Sequence, residues 1–462
     1  GDHRDLHKEY RRQRQMCIRD RVDFEKPDGV LVQFGGQTPL KIANSLEEAG
    51  VPIIGTSPKS IDLAEDREKF GKILNKLKVT CPQFGTGRTL DEVIRVAEKI
   101  GYPVLARPSY VLGGRAMEIV YSKEQLIDYI SRSADVTEGH PILIDEFLED
   151  AFEFDVDALC DGEEVHIGGV MQHIEEAGIH SGDSACVLPP YRIKAEALDK
   201  ILRVTNDLAM ELNVLGLINI QFAYKGGTIY VLEVNPRASR TIPFVSKTTN
   251  VPLAKIAAQI ATGKKLKEFN LPSWDVINHV SVKEAVLPFN KFPEESIFLS
   301  PEMKSTGEVM GISKTFGESF KRGIISSGNK IFYKGKVFFS INDPDKLNAI
   351  PIARDLQELG YKIVATHGTS LELNRNGIPS NTVFKVGEGR PNILDHIMNN
   401  EIQMVINTPL GSKSRYDEEA IGRACIQKGI MAITTLSGAN AAVRAIRSRK
   451  RKAVKSLQSY HS

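Results

Sequence analysis

Nothing in the 462 residues approaches an apolar run of the ~20 residues that a membrane span needs. No basic head, apolar stretch and small-residue cleavage site mark a secretory leader. Charge of one sign is not in excess: 60 basic residues stand against 58 acidic ones, which argues against a chain-wide nucleic-acid footprint. Cysteine is sparse and unpatterned. Cys17, Cys81, Cys160, Cys186 and Cys425 are odd in number and carry no CxxC spacing, so a disulfide framework or zinc site is not expected, and a reducing cytosol is. Long-period repeats and low-complexity tracts are missing too, which excludes solenoids and arrays.

What remains is ordinary globular material, 41% hydrophobic with a mean hydropathy of −0.20. Its length predicts two or three domains. Two segments deviate. Residues 1–21 hold seven basic and four acidic side chains and almost no apolar ones. Such a segment cannot offset its ordering entropy and reads as disordered or foreign to the fold, a basic RNA-binding arm being the weaker reading. Between Arg444 and Lys455 lie seven Lys/Arg and no acid, read as a solvated terminal helix.

GVLVQF (29–34) and VPIIG (51–55) read as buried strands around an amphipathic helix, a β-α-β unit of a parallel sheet whose earlier strands are missing. A larger α+β region begins near residue 59. In it DEVIRVAEKIGYP reads as a helix ending at Gly101, and SYVLGGR as a glycine loop between strands. In AFEFDVDALC, Phe152, Phe154, Val156 and Ala158 point one way and Glu153, Asp155 and Asp157 the other. LINIQFAYKGGTIYVLEVN reads as a hairpin with a Lys-Gly-Gly turn. After the linker ISSGNK (325–330), β/α alternation over roughly 130 residues predicts a doubly wound parallel sheet.

The hairpin carries the chemistry. Glu233 and Asn235 are two apart and share a strand face, with Gln221 across the turn. Three oxygen donors on one face suit Mg²⁺ held jointly with substrate phosphates. Arg237 and Arg240 follow, and guanidinium forks match planar oxyanions. An isolated Glu-x-Asn would read as a solvated strand; the added Gln221 and arginines turn the balance. Gly113 and Gly114 can bring backbone N–H groups over phosphates as a lid, with Arg107 pointing at the same place. A Glu146 carbonyl and Leu148 N–H can pair an adenine edge and Glu153 a ribose, although Glu153 alone reads as exposed beside Asp155 and Asp157. Gly178, Ile179, His180 and Ser181 form a polar loop, between a strand and a helix, able to ring a phosphate or the acceptor.

GVLVQFGGQTPLKIA, PIIGTSPKSIDLAEDR, RPSYVLGGRAMEIV, AGIHSGDSACVLP, EVNPRASRTIPFVSK, KEAVLPFNKF and MKSTGEVMG resemble the C-terminal, carbamate-phosphorylating half of the carbamoyl-phosphate synthase large-chain family, from about Asp23 to near the end. The resemblance implies an α/β and α+β multidomain chain. Residues 22–58 would be the remnant of a Rossmann-like pre-ATP-grasp domain, 59–265 an ATP-grasp domain, 266–327 a connecting segment and 328–462 a methylglyoxal-synthase-like allosteric domain. It implies that Arg107, Glu146, Leu148, Glu153, Gly178, Ile179, His180 and Ser181 contact ATP. Gln221, Glu233 and Asn235 would hold Mg²⁺ or Mn²⁺, K⁺ being a further candidate ion, and Arg237 and Arg240 would face carbamate and the transferring phosphate. THGTS (366–370) can hold a phosphate at a helix N-terminus. By the resemblance, Lys346, Thr366, Thr369, Lys385 and Asn407 form a pocket for UMP or IMP, and Glu175, Asp183, Glu284 and Thr434 answer ornithine. Pro409 stands where some members carry a hydroxyl, leaving the effector open. A glutaminase small subunit and oligomerisation are implied for the full-length enzyme, and the usual opening of this half, about two more βα units, is not expected in residues 1–21. Another ATP-grasp ligase related to biotin carboxylase, or an inert nucleotide-monophosphate sensor, are the alternatives.

Overall fold

A computed structural model describes residues 18, 20–108, 117–137, 141–289, 291–292, 297, 299–408, 415–448 and 454–461. The β-α-β reading of the opening unit holds. Strands β1 (Val30–Leu31) and β2 (Ile53–Ile54) pair in parallel. The helix Gln37–Glu48 between them buries Leu40, Ala43 and Leu46 at helical spacing.

Next comes a four-stranded sheet of β3 (Phe84–Gly87), β4 (Val104–Pro108), β5 (Glu118–Val120) and β6 (Ile142–Glu146), in the order β3-β6-β4-β5. The helix Leu90–Ile100 lies on it, burying Val93, Ile94 and Ala97. Its limits are local: Thr89 and Glu92 close a reciprocal capping box, and Gly101 at φ +93° ends it. The expected glycine loop, with Gly113 and Gly114, lies outside the described residues, as do residues 1–17 and Pro409.

The centre is a seven-stranded antiparallel sheet: β7 (Phe152–Asp161), β8 (Val165–Glu176), β9 (Cys186–Leu188), β10 (Leu215–Lys225), β11 (Thr228–Asn235), β12 (Val280–Val286) and β13 (Gly307–Ser313). The order is β11-β10-β7-β8-β9-β12-β13. The hairpin β10–β11 turns at Gly226 and Gly227, both at positive φ (+56° and +86°), as a two-residue turn matching strand twist requires. Strand β9 corrects the reading of residues 177–191 as a polar loop between a strand and a helix. Its three residues are buried between β8 and β12, so tertiary pairing overrode a polar flank.

One face of this sheet is apolar along its length. Phe154, Val156, Ala158, Ile218, Ile220 and Phe222, each fully buried, pack under the helix Ala195–Glu211. Each of these side chains but Ala158 contributes about 1.5–3 kcal/mol by leaving water. The other face changes character along the strands. Leu159 and Leu217 are covered by the helices Ile242–Thr249 and Leu253–Ala261. Where that cover ends, the same face continues as Asp157 and Asn219, Asp155 and Gln221, Glu153 and Ala223.

The final domain is a five-stranded, wholly parallel sheet: β14 (Gly335–Ile341), β15 (Tyr361–Ala365), β16 (Ser380–Thr382), β17 (Met404–Thr408) and β18 (Met431–Ile433), ordered β16-β15-β14-β17-β18. Separate cores on its two faces make it doubly wound, as expected. The edge strand Ser380–Thr382 is short, with one bridge from Phe384 to Asn392 beyond it.

At the junction of the domains, the helix Phe316–Ser326 lies between β13 and the helix Leu436–Arg447. A Cβ on Gly311 would fall 1.9 Å from the Ser319 carbonyl oxygen, and one on Gly317 2.4 Å from that of Arg444. Backbone therefore meets backbone. Beside them Tyr191 and Phe316 stack at 4.8 Å, and the Arg444 guanidinium covers both rings at 5.7 and 5.9 Å.

Candidate functional site

The polar end of the central sheet gathers the metal- and oxyanion-type residues singled out by sequence. Gln221 on β10 is directly opposite Glu233 on β11, and Asn219 opposite Asn235, so all four side chains share one face. A bulge at Leu232 lies just before Glu233 on β11 and leaves the pairing of Glu233 and Asn235 intact. Glu233 is exposed, Asn235 buried. The Gln221 amide donates to Ser181 Oγ (3.2 Å), which leaves its carbonyl oxygen available on the same face. Arg237 donates through Nη2 to Asn235 Oδ1 (3.1 Å) and through Nη1 to the Ala238 carbonyl (2.9 Å). Its Nε–H is buried with no protein acceptor among the described residues, an arrangement that an oxyanion would complete. Arg240 reaches Met303 Sδ (2.9 Å) and Ser305 Oγ (3.3 Å).

Asp157 anchors the arginine turn. Its carboxylate accepts from Thr241 Oγ1 (2.5 Å), Ser239 Oγ (2.7 Å) and Asn219 Nδ2 (3.0 Å). Burial pushes its pKa up to about 6 against these three hydrogen bonds. The acidic alternation was visible in the sequence, but its face is not solvated. Asp155 and Asp157 are 2% and 0% exposed, a correction to the open strand face set beside Glu153. Sequence reasoning also passed over His173, whose ring nitrogens meet Asp155 (3.1 Å) and Glu153 (3.3 Å). Burial disfavours its charge, yet neighbouring Cys186 and Asp155 hold its pKa well above the ordinary value. Fully buried Lys283 went unnoticed too; its ammonium donates to the Ser181 carbonyl (2.9 Å) and so fixes the loop that carries Gly178, Ile179, His180 and Ser181. A strand-pattern lysine gives no sequence signal of that kind.

The nucleotide-side residues fall on neighbouring elements. Arg107, next to the end of β4, pairs with Asp145 (3.2 Å), which Arg67 also holds (2.6 Å). Glu146 ends β6, its carboxylate accepting the Gln83 N–H (3.0 Å), and Leu148 is buried just beyond. Gly178 adopts φ +105°, and a Cβ there would lie 2.8 Å from the Phe147 ring. His180 Nδ1 accepts the Gly182 N–H (3.0 Å), and burial lowers its pKa. A shallow cavity of about 200 Å³ at the hairpin turn, lined by Glu149, Asp150, Phe152, Tyr224, Lys225 and Gly226, includes none of the metal-type donors.

The effector-type residues form two groups. Thr366 and Thr369 are hydrogen-bonded (3.1 Å), and the Lys346 ammonium would lie 3.0 Å from a Cβ on Gly368. Asn407 sits opposite Ser340 on β14. These four gather at the carboxyl ends of parallel strands, beside the N-terminus of the helix His367–Arg375. Lys385 is exposed, and its charge bears on Asp343, the ion-pair partner of Lys346. Among the second group, burial raises Glu175 to about 7 and Glu284 to about 8, and their charges oppose one another. Thr434 precedes the helix whose Ser437 bonds Glu176. Asp183 is committed elsewhere, accepting the Lys304 and Ser305 N–H groups (both 2.8 Å).

Comparison with known proteins accords with this geometry. Residues 66–269 match the family described as "Carbamoyl-phosphate synthase L chain, ATP binding domain", 348–434 the "MGS-like domain" and 14–63 the "Carbamoyl phosphate synthase preATP-grasp domain". The carbamoyl phosphate synthase large chain of Archaeoglobus fulgidus is 54% identical over 95% of this chain and 41% of its own length. That of Pasteurella multocida is 52% identical over 95% and 41%. The chain thus spans about two-fifths of these relatives. Among solved structures, the biotin carboxylase domain of Hydrogenobacter thermophilus 2-oxoglutarate carboxylase, in complex with MgADP, ADP and bicarbonate, superimposes with a TM-score of 0.51. At 20% identity, over 60% of this chain and 62% of that one, it shows a shared fold. No helix among the described residues is long and apolar enough to cross a membrane.

Proposed function

We propose, from the premise that this chain belongs to the carbamoyl-phosphate synthase large-chain family, that its ATP-grasp domain phosphorylates carbamate with ATP to give carbamoyl phosphate and ADP. The observation that carries the reading is the single sheet face shared by Gln221, Glu233 and Asn235, with the unpartnered Arg237 Nε–H beside it. These hard oxygen donors fit Mg²⁺ or Mn²⁺, which when bound would neutralise charge on the nucleotide phosphates.

The chain's own residues supply the rest. A carbamate oxygen attacks the γ-phosphorus as the bond to the ADP oxygen breaks, a transfer that depends on alignment and charge neutralisation. Arg237 is held by Asn235 and by its own turn, so its free N–H is already aimed before substrate arrives. Arg107, Glu146, Leu148, Glu153 and the loop of Gly178, Ile179, His180 and Ser181 hold the nucleotide in this reading. Lys346, Thr366, Thr369, Lys385 and Asn407 hold an effector phosphate such as that of UMP or IMP, and Glu175, Glu284 and Thr434 respond to ornithine. Within the larger protein, a glutaminase small subunit is the proposed ammonia source.

The test is the reverse reaction. ADP, Mg²⁺ and carbamoyl phosphate should yield ATP with the native chain, and Glu233→Ala or Asn235→Ala should abolish it while circular dichroism stays unchanged. ATP formation undiminished in both variants would overturn the assignment.

A further inference from the structure

Gln33 follows β1 and sits 203 positions from its partner in the catalytic turn. It is 2% exposed and its carboxamide is fully engaged. Nε2 donates to the Pro236 carbonyl (2.9 Å) and to Thr56 Oγ1 (2.8 Å), while Oε1 accepts the Thr56 N–H (3.1 Å). Its backbone carbonyl accepts the Ala238 N–H (2.9 Å). The contacts at Pro236 and Ala238 therefore straddle Arg237. Thr56, itself wholly buried, carries the linkage on by accepting the Leu215 N–H at the start of β10 (2.9 Å). The amide has no room to wander, since a Cβ on Gly55 would lie 2.3 Å from its Oε1.

We propose that Gln33 is a positioning residue for phosphoryl transfer, fixing the Pro236–Ala238 backbone so that Arg237 meets the reacting oxyanion correctly. The proposal rests on the phosphotransfer reading of the site. The turn has two anchors: Asp157 grips Ser239 and Thr241 downstream, and Gln33 grips the residues on either side of Arg237. The opening β-α-β unit is then part of the catalytic apparatus. Without the Gln33 amide, the buried Pro236 carbonyl loses its donor and the turn is free to shift. A shift of about 1 Å in an aligned group can cost on the order of a hundredfold in rate.

Gln33→Leu in the whole chain tests this. The kcat for ATP formation from ADP and carbamoyl phosphate should fall about ten- to a hundredfold. Affinity for a fluorescent ADP analogue should stay within about twofold, because Glu146, Leu148 and Glu153 lie on elements Gln33 does not touch. Amide exchange in the peptide covering 236–240 should quicken, by mass spectrometry. A kcat within about twofold of native, with unchanged exchange, overturns the proposal, as does an equal loss of nucleotide affinity, which would mark a purely structural amide. If the native chain itself makes no ATP, the phosphotransfer reading fails, and the exchange arm alone decides whether Gln33 holds the turn. If Gln33→Leu does not fold, Gln33→Met, which keeps the length but can neither donate to Pro236 and Thr56 nor accept the Thr56 N–H, goes through the same measurements.

Discussion

Replacing Glu284 by Gln measures how much a buried charge costs this fold. Its Oε2 is buried with no partner among the described residues, and burial first, then the charge of Glu175, raises its pKa from 4.5 to about 8. Between those values the folded chain keeps a proton that the unfolded chain has lost. The unfolded state then binds fewer protons, so stability falls as pH rises through this window and levels off above about 8. At about 1.4 kcal/mol per pH unit, the interval from 4.5 to about 8 is worth on the order of 5 kcal/mol. Gln cannot ionise, but it buries an amide that costs about 1–3 kcal/mol at every pH. The variant should therefore be equal or slightly weaker near pH 5 and stronger above pH 8. Trp274, the only tryptophan, is buried in the central core and reports the melt by fluorescence. At about 2–4 °C per kcal/mol, the gap between the two melting curves should move by about 10 °C or more and change sign across this range. Curves that stay parallel from pH 5 to 8.5 would refute the linkage.

Two further perturbations probe the terminal domain and its seat. Gly317→Ala drives a methyl against the Arg444 carbonyl, so limited proteolysis between residues 327 and 334 should accelerate; unchanged cleavage would mean that the helices do not bear on each other. Lys346→Ala removes the cation beside the His367–Arg375 helix N-terminus, so on the proposed effector reading affinity for UMP, by calorimetry, should fall about tenfold or more, with ATP formation in its absence unaltered. Equal affinity in the two proteins would remove Lys346 from the pocket.

The legible parts of this molecule are those in which spacing alone sets geometry. Period-two alternation placed Glu233 and Asn235 on one face and Phe154, Val156 and Ala158 on the other, and the Gly-Gly turn brought Gln221 opposite Glu233. Gly101 announced the end of the helix Leu90–Ile100. Alternation says which residues share a face but not what covers it, so the burial of Asp155 and Asp157 was out of reach. Strand β9 depends on β12, distant in sequence, as well as on β8, and the ties from Gln33 to Pro236 and from Lys283 to Ser181 span positions at least as distant. None leaves a local mark.

The glycines at the junction have a mechanical corollary. Side chains between two packed elements act as a cushion, since rotamers can adjust while backbones stay put. With Gly311 and Gly317, main chain rests on main chain through the Phe316–Ser326 helix, so the cushion is missing. A tilt of the Leu436–Arg447 helix must then drag β13 and its neighbour β12, where Glu284 resides, with little play in between. The coupling behaves like a keyed shaft.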